Sequence, residues 1–503
     1  MTLTEGRAKA ALAALCLLFL AVNFGTATRY PLPWVDEIQF ADPAINLVLR
    51  GHFSSTVWIA QNSDGFWAGN APLYSFMLSG WLRLFGVSPL SVRSLNFFLM
   101  TSAVLLIWEL ARRNKWITNP SWRLLLCLLL MTGQGLTFSY RMGRYDVLGI
   151  NLFALAALIW SSPASLWEYV LLAVVAALMP LAGLQLVAAS AVYCSILFLF
   201  LGRNAISRII AVGVGLAAGG AALYLLYTNQ GVWQAFRAST SAVGTMGQDV
   251  GSKLLAFPAA YANDKSLLLL LVAGLLIAIL KPGQFIQWNR NLLAVSLTLA
   301  LVTPAILSIG AKFPLYYAWM AFIPLAIAVV AELSKPGLSG RSRRALSVLL
   351  LLASLVGLPL RLTTVILNWN ARSLRPIGQF VDANLKPSDS VVADFKAYYA
   401  VKLHCQSVYA PTYVGMMKPN EREGVTALLV RPSQLALVTH EVGGQWRDTG
   451  LSMPGGEIST KRLLVMRDLA GDQFTVELYR RDEKGLNNSP DLRGDRHPGM
   501  RPR

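Results

Sequence analysis

Apolar runs of about 17 to 25 residues, the length needed to cross ~30 Å of hydrocarbon, recur in this chain between residues 10 and 366 and then stop. No single soluble core absorbs so much apolar sequence, and 55% hydrophobic with only 14% charged residues points the same way. The pattern predicts eleven spans over 10–26, 92–110, 122–139, 146–162, 166–181, 183–201, 208–227, 265–280, 292–309, 314–333 and 345–366. The expected fold is a polytopic α-helical membrane protein with a small C-terminal extracytoplasmic α/β domain. Its expected boundaries are a membrane domain at 1–368, the α/β domain at 369–481 and a disordered, charged tail at 482–503.

The formal charge of +18 does not indicate nucleic acid, because the basic residues sit in short connectors between spans. Arg112-Arg113-Asn114-Lys115, Arg203 to Arg208, Lys281 to Arg290 and Lys335 to Arg344 fall on one side together with Arg7 and Lys9. The positive-inside rule makes that side the cytoplasm. Loop 27–91, the turn Ser139 to Asp146, loop 228–264, the turn Gly310 to Pro314 and everything after Asn368 then lie outside. The hairpin 166–201 carries no charge at its turn and reads as two spans or as a re-entrant loop, with the same parity either way. Arg7 and Lys9 before Ala10 to Val22 imitate a secretory signal; retention as an anchor is expected, since the following loop needs a neighbouring helix. Three of the four cysteines, Cys16, Cys127 and Cys194, lie inside spans, which leaves no disulfide or zinc framework.

Within loop 27–91, Phe40 to Leu49 and Leu73 to Phe85 have helical apolar spacing, with Pro72 suited to a first turn. They are expected along the membrane surface, with Trp58, Trp67, Tyr74 and Trp81 as interfacial anchors or as a platform for a sugar ring. Loop 228–264 spreads Gly231, Gly244, Gly247 and Gly251 between apolar patches, and reads as a lid or as a surface helix pair. Beyond Ser373, a helix over Leu374 to Leu385 and strands at 390–394, 427–430, 435–438, 462–466 and 474–479 are expected.

Ionisable residues beside lipid are expensive and usually face a functional cavity. Asp36-Glu37, shortly after the first span, places two adjacent carboxylates at the outer face, and Asp146 opens the fourth span on that same face beside Arg141 and Arg144. Taken alone, Asp146 also reads as a helix cap or a structural ion pair, and Lys312 as a lysine reaching for the interface. Together, the outer cations Arg141, Arg144, Arg237, Lys253 and Lys312 suit a phosphate, while the acids suit proton transfer. Displacing a lipid phosphate from an activated sugar needs both. There is no Walker-type phosphate loop, and His52, His404, His440 and His497 do not cluster. A protein-built metal site is not expected, although carboxylates 36, 37 and 146 have the chemistry to hold a divalent ion.

At these residues the chain resembles the C-type (GT-C) membrane glycosyltransferases of the protein mannosyltransferase and aminoarabinose transferase superfamily (family 39-like). The resemblance runs through Asp36-Glu37, Gly69-Asn70-Ala71-Pro72-Leu73-Tyr74, Trp81 to Gly86, Arg93, Arg144-Tyr145-Asp146 and Lys312-Phe313-Pro314-Leu315-Tyr316-Tyr317. It implies Asp36 as catalytic base, Glu37 beside it and Asp146 as second acid. It implies Lys312, with Arg141, Arg144 or Arg237, on the donor phosphate, and Trp34, Asn70, Tyr74, Tyr316 and Tyr317 lining the substrate. The implied donor is a polyprenyl-monophosphate sugar, transferred with inversion. The implied acceptor is an envelope lipid, polysaccharide or protein, at a bacterial cytoplasmic membrane. Asn70-Ala71 stands where aminoarabinose transferases carry Lys-Pro, which argues against that sugar. The rival expectation is a lipid-carrier or sugar transporter, whose mark is ionisable residues at span midpoints; Glu109, Glu168 and Glu332 lie near cytoplasmic ends instead.

Overall fold

The computed structural model describes residues 3–244, 258, 261–281, 292–310, 315–453 and 475–482. Lys253, Lys312, the expected strand at 462–466 and the tail from 483 onward lie outside the described residues. Two compact units divide the chain, Met1–Leu374 and Arg375–Arg503.

The described part of the first unit is helical. Its elements are α1 (Glu5–Thr26), α2 (Val35–Leu49), α3 (Leu73–Phe85), α4 (Pro89–Arg113), α5 (Pro120–Thr132), α6 (Gln134–Arg141), α7 (Asp146–Trp160) and α8 (Leu166–Ala182). There follow α9 (Leu184–Leu201), α10 (Ile206–Asn229), α11 (Trp233–Gly244), α12 (Lys265–Leu280), α13 (Leu292–Gly310), α14 (Trp319–Ser334), α15 (Gly340–Leu355) and α16 (Leu358–Leu367). Among the described residues three stretches are long and apolar enough to cross a membrane: α1, α4 and Leu184–Asn229, which a 3-10 turn at Gly202–Ala205 divides into α9 and α10. The number becomes five if the bent pairs α5/α6 (57°) and α15/α16 (44°) each form one span.

The two bends lie against each other. Gly357, between α15 and α16, lies so close to the α5/α6 break that an added Cβ would come within 1.7 Å of the Thr132 carbonyl oxygen. A broken helix frees backbone groups, which in lipid must find partners inside the protein. Here the freed Gln134 N–H donates to Ser266 Oγ at 3.0 Å and Gly135 N–H to Asp264 Oδ2 at 3.1 Å. Asp264 Oδ1 meanwhile caps α12 by accepting from Leu267 N–H at 3.0 Å. Burial pushes the Asp264 carboxyl up to about 6, against the pull of these backbone donors.

α8 and α10 pack backbone to backbone along a Gly-x-x-x-Gly seam. A Cβ at Gly215 would meet Ala173 O at 2.2 Å, and one at Gly219 would meet Ala177 O at 2.0 Å.

The second unit carries α17 (Arg375–Asn384), α18 (Tyr398–His404), α19 (Pro419–Gly424) and α20 (Pro432–Val442) around five strands. These are β1 (Ser390–Ala393), β2 (Ser407–Tyr409), β3 (Ala427–Val430), β4 (Trp446–Met453) and β5 (Val476–Arg481), in the order β2-β1-β3-β5-β4. β1 pairs in parallel with β2 and β3; β5 then runs antiparallel to β3 and β4. The expected strand at 435–438 is corrected to helix. It lies inside α20, which turns Val438 and Val442 to the core and leaves Leu437 exposed. Four consecutive apolar residues fit a buried strand and a short helix equally well.

Candidate active site

Successive helical residues project about 100° apart, so adjacent acids in the first turn of α2 cannot both face one cavity. Asp36 keeps its side chain 23% exposed, while Glu37 is fully buried. The Glu37 carboxylate accepts from Arg93 Nε at 3.1 and 3.2 Å and from its NH2 at 2.6 Å. Arg93, itself fully buried on α4, also donates to Pro31 O at 2.7 Å and to Ala27 O. The pair is a clamp that fixes the end of α1 and the start of α2 against α4. Expectation placed Glu37 at the chemistry; the structure seats its carboxylate on the buried Arg93 guanidinium.

Arg141, expected at the donor phosphate, is likewise engaged within the protein. It is buried, donating from Nε and NH2 to Tyr30 O (3.0 and 2.8 Å), from NH2 to Thr26 Oγ1 (2.9 Å) and from NH1 to Asn23 Oδ1. Its donors go to α1 and the chain just beyond it, which leaves little for a phosphate. Tyr74 is 1% exposed and so does not line an open surface. Arg237 on α11 is exposed and makes no ion pair among the described residues.

Arg144 is the centre of the arrangement. It stands in the turn between α6 and α7, donating from Nε to Asp146 Oδ2 at 2.8 Å and from NH1 to Asp36 Oδ2. Its guanidinium lies 3.7 Å from the Tyr316 ring centroid, 5.2 Å from that of Phe40 and 5.3 Å from that of Tyr145. Burial alone would lower its pKa, but the carboxylates of Asp146 and Asp36 outweigh burial and hold it well above the usual value. Gly143 makes the turn with φ 57°, a conformation that favours glycine, and a Cβ there would press on Glu37 Cγ at 3.0 Å. Asp146 lies in the first turn of α7, where its Oδ2 pairs with Arg144.

Aromatic residues frame the triad. Tyr145 and Tyr317 share a hydroxyl contact at 2.9 Å, Ser139 Oγ donates to Tyr316 O at 2.9 Å, and Trp34 lies 6.3 Å from Tyr316. Asn70 sits away from them: its carbonyl accepts from Tyr227 of α10 at 2.5 Å. Beside it Ser239 of α11 donates to Gly69 O at 2.9 Å and accepts from Trp58 Nε1 at 2.8 Å, latching α11 to the first outer loop. Sequence reasoning missed the weight of Arg93, Asn96 and Phe40. Only a buried arginine's need for a counter-ion would have signalled the first of these.

The described residues contain no cluster of three metal-ligating side chains. Arg144 takes the place between Asp36 and Asp146 that a divalent ion would need, and Glu37 is turned away on Arg93. These acids therefore do not fit a metal.

The structure has neighbours among solved proteins. It is similar to the arabinofuranosyltransferase AftD from Mycobacteria at TM-score 0.47 and 14% identity, over 96% of this chain and 40% of that one. It is similar to ArnT from Cupriavidus metallidurans bound to undecaprenyl phosphate, at 0.43 and 13%, over 95% and 98% of the two chains. It is also similar to the oligosaccharyltransferase AglB from Archaeoglobus fulgidus, in complex with an inhibitory peptide and a dolichol-phosphate, at 0.48 and 11%, over 87% and 69%. No family model matches the chain, and no curated protein does. The printed names of these neighbours include an arabinofuranosyltransferase and an oligosaccharyltransferase.

Proposed function

We infer that this chain is an inverting membrane glycosyltransferase that moves a sugar from a polyprenyl monophosphate to an envelope acceptor at the outer face. The observation that carries the reading is the asymmetry of the acids. Of Asp36, Glu37 and Asp146, Asp36 alone has an open side, and Arg144 holds one of its oxygens in place. Asp36 takes the acceptor hydroxyl proton as that oxygen bonds the anomeric carbon, and the carbon–oxygen bond to phosphate breaks with its electron pair leaving on the phosphate. A single displacement inverts the centre.

Two carboxylates on one guanidinium leave the triad net negative, so it repels a phosphate rather than binding it. Arg144 therefore orients the base, and Lys312 and Arg237 are the cations proposed for the donor phosphate. The eleven-span topology, with a cytoplasmic N-terminus and the acids and tail unit outside, belongs to this proposal, as does a bacterial cytoplasmic membrane. The mechanism predicts release of free polyprenyl phosphate from one member of a donor panel by reconstituted protein, with crude envelope as acceptor. That release disappears in a folded Asp36→Asn variant. Turnover indifferent to Asp36, or none with any donor, would overturn the mechanism and favour carrier transport.

A further inference from the structure

Between α4, α7, α8, α9, α13 and α14 the first unit frames a cavity of about 420 Å³. Protein interiors hold few voids larger than a water molecule, so space on this scale calls for an occupant. Its wall is largely carbon, supplied by side chains such as Phe153, Ala157, Leu197, Val295 and Ile323. Polar residues along the wall turn their hydroxyls onto backbone. Ser190 Oγ donates to Leu186 O at 2.7 Å, Ser161 Oγ to Leu158 O at 2.9 Å and the Tyr193 hydroxyl to Met320 O. Such a wall suits hydrocarbon and not water.

The two ends of the cavity differ. At the end nearer the triad α7, α9 and α14 close on one another: a Cβ at Gly149 would meet Leu186 Cδ2 at 2.7 Å and Trp319 Cζ2 at 3.4 Å. Gly149 stands about one helical turn from Asp146, so this contact separates the cavity from the triad. At the far end the lining reaches Asn114, Trp116 and Ser161 in the connectors after α4 and α7, and Leu201 at the end of α9. Leu201 is 42% exposed, which opens the cavity there. Ser161 lies roughly 22 Å from Asp146 along α7, at 1.5 Å per residue.

Cations gather at the open end. Arg208 of α10 donates to Ser162 O at 2.9 Å and lies 5.9 Å from the ring centroid of Trp160, a lining residue. Lys115 stands between the lining residues Asn114 and Trp116, and Arg203 comes two residues after Leu201. The acids nearby are engaged: Glu109 pairs with Arg112 and Arg113, and Glu168 accepts from Ser165 N–H at 2.8 Å. Lys115, Arg203 and Arg208 make no ion pair among the described residues. An apolar bore with positive charge at its mouth matches an amphiphile with an anionic head.

We propose that this cavity takes one acyl chain of an anionic phospholipid of the cytoplasmic leaflet, whose phosphate lies at Lys115, Arg203 and Arg208. The chain fills the space among the helices, and the bound lipid stabilises the folded body by mass action. The choice of leaflet rests on the topology proposed above. Glycosyl transfer enters neither the binding nor its test, so the two readings stand or fall separately.

The test uses the full chain in mixed micelles of detergent and phosphatidylcholine, titrated with phosphatidylglycerol and read by thermal unfolding and native mass spectrometry. The unfolding midpoint is expected to rise and saturate with phosphatidylglycerol, and one such lipid stays bound in the spectrum. Arg208→Gln raises the phosphatidylglycerol fraction at half-effect about fivefold, the loss of one cation at a membrane surface. Ala157→Phe, which grows into the cavity, abolishes both the rise and the bound lipid. No bound phospholipid, an equal response to phosphatidylcholine alone, or a response that survives Ala157→Phe would overturn the proposal. So would retention of undecaprenyl phosphate in preference to phosphatidylglycerol, which would give the cavity to the carrier's chain. Should Ala157→Phe fail to fold, Lys115→Gln and Arg203→Gln decide, because both side chains are exposed; half-effect fractions equal to the parent's overturn the proposal.

Discussion

Glu37→Gln separates a clamp from a catalyst at the residue where sequence and structure differ most. The substitution preserves size and removes one charge, leaving Arg93 at 0% exposure without its counter-ion. Of the three Arg93 contacts to the carboxylate, the new amide keeps one acceptor and turns an N–H toward the guanidinium. The Ala27 and Pro31 carbonyls remain but carry no full charge. Breaking a buried pair by removing one partner costs about 3–5 kcal/mol, because the surviving charge stays desolvated. Replacing both partners with apolar groups costs much less. Thermal unfolding in detergent should therefore place Glu37→Gln far below the parent and Glu37→Leu with Arg93→Met between them. Donor turnover per folded molecule at low temperature should persist in Glu37→Gln. A variant of parental stability that has lost all turnover would refute the clamp and return Glu37 to the chemistry.

Gly219→Ala drives a Cβ toward Ala177 O, which as backbone cannot swing aside; separating α8 from α10 should cost about 1–3 kcal/mol. Gly220→Ala, with nothing within 4 Å, should cost nothing, and unfolding midpoints in detergent compare the two. Ser239→Ala removes the acceptor of Trp58 and the donor to Gly69, so α11 should be cleaved faster in limited proteolysis with α1 to α10 unaffected. Burial alone would raise the Asp389 carboxyl, but the Lys386 N–H, Arg480 and Thr426 outweigh it and the net shift is downward. A lowered native pKa stabilises the fold above the unfolded value and loses that contribution as pH falls through the native one. Amide protection factors in β1 and β5, corrected for the intrinsic exchange rate, should therefore fall below about pH 4, and Asp389→Asn should flatten that dependence.

The sequence made the helical body legible because spans are a matter of length and apolarity, which survive any ignorance of packing. It showed β1 and β3 for a similar reason, since both are short buried runs between turn residues. Leu435 to Val438 misled because four apolar residues carry no period. At the site, Asp36, Arg144 and Asp146 were legible as charges on one face, and the fold brings all three together. Partnership was not legible. Nothing in Asp36-Glu37 says which acid turns inward, and nothing near Arg141 announces that Asn23, Thr26 and Tyr30 will consume its donors. Such pairings join residues 56 to 118 positions apart, and only the crossing of α1, α2, α4 and α6 decides them.

The break at Gly133 has a consequence for how this sequence can drift. α6 leads directly into the turn that carries Arg144, and the start of α6 hangs on Asp264 and Ser266, about 130 residues downstream. A substitution at Asp264 or Ser266 therefore acts on the triad from outside it, and the residues that compensate are those at 134, 135 and 357. Descendants of this chain should inherit these positions as one block, changing them together or not at all, while the apolar faces around them exchange Leu, Ile and Val freely.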